Sequence, residues 1–241
     1  MAGFQIRNAM VFAAGLGTRM RPVSDTLPKP LIRVVGKPLI DHVLDRCAEA
    51  SVEKAIVNVH YLADLIEAHL APRREPRIVI ADERDKLLDQ GGGIKKVLGE
   101  FEGEPFLIFN TDAFWIEGPP SNLRRLMDAW DGETMDVLLL VSDIVSSIGV
   151  DWPGDFTMDP LGRLAQRDQR LIAPFVYAGV GIMKPELFAH EKQDVFRLAP
   201  LFFAAAERGR LYGLRLDGVW LHVGTPEAIV AADRAVARSV L

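Results

Sequence analysis

Along the first half of the chain, apolar runs of four to eight residues alternate with segments of helical period, and that alternation narrows the fold more than any other feature. "AMVFAA" (9–14), "KAIVNVH" (54–60), "RIVIAD" (77–82) and "PFLIFNTD" (105–112) read as strands. Between them, "PLIDHVLDRCAEA" (38–50), "LADLIEAHL" (62–70) and "GIKKVLGEF" (93–101) read as helices. Strands apolar almost without interruption belong to a sheet covered on both faces, and helical crossovers make parallel neighbours. The expected fold is α/β: a Rossmann-like mixed, mostly parallel sheet with helices on both faces. After Asp112 the pattern loosens. A helix is expected near "SNLRRLMDAW", a strand at "MDVLLLVS", and short antiparallel pieces around "DFTMDPLGRLAQR" and "PFVYAGVGIM". A helix "FRLAPLFFAAAERG", a strand "RLYGLRL", a turn "DGVWLHVGTPE" and a final amphipathic helix follow. No stretch has the composition of a linker or a repeat, so one domain spanning 1–241 is expected, its later pieces extending the first sheet.

In an open α/β sheet, ligands sit beyond the carboxyl ends of the strands. The first such end carries "AAGLGTRMRPVSDTLPKPL", residues 13–31. Gly15 and Gly17 let the backbone turn sharply and bring bare N–H groups against phosphate oxygens or a base edge. A dinucleotide fingerprint would need a third glycine where Met20 stands, and a Walker A loop would need a glycine before Lys-Ser or Lys-Thr, which does not occur. Arg19, Arg21 and Lys29 then place three cations on one loop. The chain as a whole carries a net charge of −5, with 28 basic against 33 acidic residues, so its bulk surface is not that of a nucleic-acid binder. A polyanionic ligand must therefore be held by a local cluster such as this one. Pro28 and Pro30 stiffen the backbone around Lys29.

Other classes are excluded by what the sequence lacks. Cys47 is the single cysteine, so there is no internal disulfide and no cysteine-based zinc pattern, and its place in a helical segment predicts a packed thiol. "MAGFQIRNAM" has no apolar signal core and no uncharged run approaches the ~20 residues of a membrane span, so a cytoplasmic protein with no membrane partner is expected.

"AAGLGTRMRP" followed by "LPKPL" resembles the signature of sugar-1-phosphate nucleotidyltransferases, which join a nucleoside triphosphate to a sugar 1-phosphate and release pyrophosphate. The resemblance continues in order through "VGKPLIDHVLDRC", "NVHYLADLIEAHL", "DERDKLLDQGGGIKKVL", "FLIFNTDAFW", "PGDF", "YAGVGIM", "FRLAPLF" and "VWLHVGTPEAI". The compact length, "LDQGGGI" and "FRLAP" look most like the branch that uridylylates N-acetylmuramate 1-phosphate for peptidoglycan recycling. Guanylylation of mannose 1-phosphate, or transfer to a related hexose or heptose phosphate, is the rival. A catalytically weak nucleotide-sugar sensor is an alternative of another class.

The resemblance implies roles. Ala13, Ala14, Gly15, Gly17 and Thr18 would cradle the nucleotide; Arg19 would meet the phosphates and Lys29 the α-phosphate. Gln90, Gly91 and Gly92 would contact the base, and Asn110 the nucleotide sugar. On physical grounds, Gln90 offers both a donor and an acceptor, and glycines opening a helix would present free N–H groups. Glu83, Asp155, Tyr177 and Gly179 match positions around the sugar pocket. Asp112 would bind Mg2+, which asks for hard oxygen ligands. His222 stands where most relatives have a second metal-binding aspartate, and an imidazole there would favour Mn2+ or Co2+. Many relatives carry Glu-Lys-Pro before the "YAG" element to hold the sugar; this chain has "AQRDQRLIAPFVYAG". His60, ending its strand at the same edge, is read as structural rather than as a substrate contact.

Overall fold

The computed structural model describes residues 6–239; residues 1–5, part of the N-terminal stretch read as lacking a signal core, lie outside it. The expected alternation is present: β1 (Asn8–Phe12), α1 (Leu39–Glu49), then β4 (Lys54–Val59), α2 (Ala63–Leu70), β5 (Arg77–Asp82), α3 (Asp89–Lys96) and β6 (Phe106–Asn110). A hairpin of two-residue strands, β2 (Arg33–Val34) and β3 (Lys37–Pro38), sits between β1 and α1. β1 pairs in parallel with β4 and β6, and β4 with β5. Every residue of β4 is buried, as expected of a strand covered on both faces.

The second half extends this sheet. After β7 (Ala113–Ile116) and α4 (Asn122–Asp128) come β8 (Val137–Asp143), β9 (Phe156–Met158), β10 (Leu164–Gln166) and β11 (Phe175–Met183). α5 (Ala199–Glu207), β12 (Leu211–Arg215), β13 (Val219–His222) and α6 (Pro226–Ser239) complete the chain. β11 lies antiparallel to β8 on one side and, at successive stretches of its other side, to β9 and β6; β12 joins β8 in parallel. The result is a nine-stranded mixed sheet running β10-β9-β11-β6-β1-β4-β5, with β8 and β12 branching from β11. One apolar layer packs α1, α2 and α4 onto one face around Val11, Val57, Phe109 and Leu140; a second packs Ile94, Phe101, Phe106 and Phe202 onto the other.

Three local readings need correction. The glycines lie inside α3, which starts at Asp89 rather than at Gly93, and a short 3-10 turn over Leu98–Phe101 replaces its expected last turn. Val219–His222 is a strand rather than a turn, and it pairs with β7, which the sequence pattern does not reveal. The pairing register sets His222 opposite Ala113, and hence beside Asp112. Among the described residues no helix is long and apolar enough to cross a membrane.

Candidate active site

The carboxyl ends of β1, β4, β5 and β6 are tied together by buried polar groups. The Ala13 N–H donates to Asn58 Oδ1 at 2.8 Å, Asn58 Nδ2 donates to Glu83 Oε1 at 2.8 Å, and Thr111 Oγ1 donates to the Phe12 carbonyl at 2.7 Å. From this base the glycine loop rises, with Ala13 and Ala14 buried and Gly15, Thr18 and Arg19 exposed. Gly17 has φ +62° and its carbonyl accepts from Ser24 Oγ at 2.7 Å; a Cβ there would stand 3.3 Å from that of Lys29. The left-handed turn thus lets the loop close onto Lys29. Arg19 makes no hydrogen bond or ion pair among the described residues, whereas Arg21 is turned to Asp25 at 3.3 Å on the surface and leaves the expected cation cluster.

Lys29 sits on a 3-10 turn between its prolines and holds its ammonium 2.9 Å from Asp112 Oδ2. On the same oxygen, His222 Nε2 approaches to 3.6 Å. Burial pushes the Asp112 carboxyl up, but the His222 ring and the Lys29 ammonium outweigh it and hold it well below the usual carboxylate range. The imidazole is itself fixed: Nδ1 lies 3.3 Å from the Gly149 carbonyl, one face stacks on Trp220, and the edge meets Trp152.

Three connected hollows surround this group. The first, about 120 Å³, is lined by Ala13, Gly15, Lys29, Gln90, Asn110 and Asp112. A second, about 340 Å³, holds Arg19, Asp112, Asp155, Tyr177, Gly179 and His222. The third, about 310 Å³, lies beyond Asp155 and Tyr177 and is walled by Phe156, Phe202 and Phe203. Asn110 borders all three, and its Oδ1 accepts from Gln90 Nε2 at 2.8 Å. A bulge in β11 between Tyr177 and Gly181 shapes the junction. There Gly179 has φ +80°, and a Cβ would come within 3.1 Å of Asn110, so only glycine lets the strand pass so close. The Tyr177 hydroxyl is buried without a partner among the described residues, and burial together with the Asp112 charge pushes its phenol well up.

Glu83, Gly91 and Gly92 do not join this cleft as expected. The Glu83 side chain is buried under α3, accepting from Asn58 and from the Leu88 N–H at 3.0 Å, which makes it a brace for the cleft floor. The N–H groups of Gly91 and Gly92 both point to the Phe196 carbonyl, at 3.0 and 3.4 Å, so they are not free for a base. These glycines are required by packing: a Cβ at Gly91 would fall 2.3 Å from the Phe196 ring, and one at Gly92 2.1 Å from the Asp194 carbonyl oxygen. His60 is structural, its Nδ1 lying 2.6 Å from the Glu83 carbonyl. Trp152, Phe202 and Arg167 line the hollows without having been singled out in the sequence. Their signal, an aromatic or basic residue in a loop or a late helix, is too common to stand out.

This arrangement offers a phosphate-sized loop with one unpaired arginine, a lysine-carboxylate pair at its foot, and an adjoining apolar-walled pocket. Residues 8–143 match the family model described as nucleotidyl transferase. The chain belongs to the nucleotidyl transferase family. The N-acetylmuramate alpha-1-phosphate uridylyltransferase of Caulobacter vibrioides is 46% identical to it over 96% of this chain and 97% of the relative. The protein of the same name from Neisseria meningitidis is 31% identical over 90% of this chain and 93% of the relative. Mannose-1-phosphate guanylyltransferases are more distant, at 25% identity for the Danio rerio catalytic subunit beta, of which 61% is covered by 91% of this chain. A crystal structure of UDP-glucose pyrophosphorylase with UDP-glucose superposes with a TM-score of 0.76 at 19% identity, over 97% of this chain and 99% of that one, and shares the fold.

Proposed function

We propose that this nucleotidyltransferase moves a uridylyl group from UTP to N-acetylmuramate 1-phosphate and releases pyrophosphate. The observation that carries the reading is that the glycine-loop hollow meets the aromatic-walled pocket at Gln90 and Asn110 and the neighbouring hollow at Asn110 and Asp112, which gives a nucleotide and a sugar phosphate one meeting point. The choice of substrates is supported by the similarity to two uridylyltransferases that span nearly the whole chain. Dependence on UTP makes the cytoplasm the compartment for the reaction.

The chemistry needs no protein nucleophile. A phosphate monoester with its second pKa near 6 is largely dianionic at neutral pH. One of its oxygens attacks the α-phosphorus of UTP in line; the new O–P bond forms as the bond to the β-phosphate bridging oxygen breaks, and pyrophosphate leaves with that electron pair. Lys29 and Arg19 neutralise the repulsion between two polyanions and hold them aligned. Ala13, Ala14, Gly15, Gly17 and Thr18 form the cradle, Gln90 and Asn110 hold the nucleoside, and Asp155, Tyr177 and Gly179 border the sugar.

Among the described residues no group of three His, Cys, Asp or Glu side chains comes together as a cage for a metal. The donors present, the Asp112 carboxylate and the His222 imidazole, fit a divalent ion that arrives with phosphate and water as its other ligands. Such an ion supplies charge neutralisation on the phosphates. One hard oxygen and one imidazole make Mg2+ usable and favour Mn2+ or Co2+ in comparison.

The test is incubation with UTP, N-acetylmuramate 1-phosphate and a divalent metal. Pyrophosphate and the UDP-sugar should form in equal amounts, and neither should form when either substrate is left out. Pyrophosphate released from UTP without the sugar phosphate would contradict direct transfer.

A further inference from the structure

Two charged side chains line the aromatic-walled pocket, Asp155 and Arg167, and their surroundings differ. Asp155 is satisfied: Oδ1 accepts from Trp152 Nε1 at 3.1 Å and Oδ2 from the Tyr177 N–H at 2.8 Å. Arg167 is held in place but not neutralised. Its Nε donates to the Gly154 carbonyl at 3.0 Å, and Nη1 reaches the carbonyls of Asp168, Gln169 and Leu171 at 2.9 to 3.1 Å. Among the described residues Nη2 has no hydrogen-bond partner, and no carboxylate lies within 4.0 Å of the guanidinium. The carbonyls fix the guanidinium without cancelling its charge.

A half-buried, oriented guanidinium beside aromatic walls is a receptor for a planar anion, because the hydrogen bond is charge-assisted and its donor is already fixed. The 1-phosphate of the sugar does not account for it. Arg19 and Asp112 line the neighbouring hollow, which shares only Asn110, Asp155 and Tyr177 with this pocket and does not include Arg167, so Arg167 faces a different compartment from the Lys29–Asp112 pair. A substrate reaching both compartments would meet a cation in each, Arg19 in one and Arg167 in the other.

We propose that Arg167 binds a carboxylate carried by the sugar itself and so selects an acidic sugar 1-phosphate over its neutral counterpart. The inference rests on the N-acetylmuramate reading, since the lactyl ether of that sugar supplies the carboxylate. The phenyl rings of Phe156, Phe202 and Phe203 leave the remainder of the pocket apolar, in keeping with the methyl groups of a lactyl and an acetamido substituent.

The test compares N-acetylmuramate 1-phosphate with N-acetylglucosamine 1-phosphate, the same ring without the lactyl group, in the wild-type protein, Arg167→Gln and Arg167→Lys. Arg167→Gln should raise KM for the acidic sugar about tenfold to a hundredfold, the scale of one hydrogen bond to a charged group. KM for the neutral sugar and for UTP should stay nearly unchanged, and Arg167→Lys should recover part of the loss. An equal loss for both sugars would overturn the proposal and leave Arg167 as a pin for the turn at 168–171; so would an unchanged KM for the acidic sugar. A wild-type protein that forms no product from N-acetylmuramate 1-phosphate would instead sink the substrate reading, and the proposal with it.

Discussion

Lys29 holds its ammonium 2.9 Å from the Asp112 carboxylate in the free protein, and a bound triphosphate would compete with that carboxylate for it. Lys29→Ala should therefore lower the rate of transfer by at least about a hundredfold, the scale for one lost electrostatic contact to the transition state. Asp112 keeps the His222 ring at 3.6 Å, so thermal unfolding of the same variant should shift little. Near-normal turnover would remove Lys29 from the mechanism. His222 is the second residue where a side chain decides chemistry. With an imidazole beside the carboxylate, activity with Mn2+ or Co2+ should compare well with that in Mg2+, and His222→Asp should shift the preference toward Mg2+ by supplying a second hard ligand. Rates across the three metals in both proteins give the answer, and an unmoved profile would make His222 a packing residue between Trp152 and Trp220.

Elements of the sheet meet at their other end through Asp136, just before β8. Its carboxylate accepts from Arg210 at 2.8 Å, Arg208 at 3.3 Å and lies 3.9 Å from Lys184, so one side chain joins the starts of β8 and β12 to the end of β11. Burial pushes its pKa up, and the bonds from Arg210 and Arg208 more than reverse this, leaving it lowered. A lowered folded pKa contributes stability that is present above the ordinary carboxylate range and lost as pH falls through the folded value. Asp136→Asn should thus be less stable than the wild type at pH 7, with the gap closing in acid; denaturant melts at several pH values would show it, and a constant gap would refute the ion-pair account. Elements also differ in how well the sequence announces them. β1, β4 and β6 were legible because burial on both faces forces unbroken apolar runs. The β7–β13 pair was not, because four-residue strands give too little pattern to separate them from turns. The start of α3 was missed because three glycines oppose helix propensity, and only close approach explains why they are there: Phe196 at Gly91, the Asp194 carbonyl at Gly92, and Glu83 with Asn58 at Gly93.

For the molecule as a whole, the site was legible where charge and backbone freedom coincide in one stretch, as in the glycine loop with Lys29. It was less so where the cleft is assembled from distant segments. Glu83 matched a sugar-pocket position in sequence yet lies under the floor, because Asn58 and the Leu88 N–H hold its carboxylate there. Arg167 gave no signal until the fold set it at a pocket wall with no carboxylate of the described residues within ion-pair distance. The central claim is that this folded cleft serves uridylyl transfer to an acidic amino sugar. It is tested most directly by kcat/KM for pyrophosphate release with UTP or GTP, each paired with N-acetylmuramate 1-phosphate or mannose 1-phosphate. The account predicts that UTP with N-acetylmuramate 1-phosphate exceeds every other pairing by at least about a hundredfold, since buried polar groups penalise a substrate that leaves them unpaired. Equal or faster turnover of GTP with mannose 1-phosphate would contradict it.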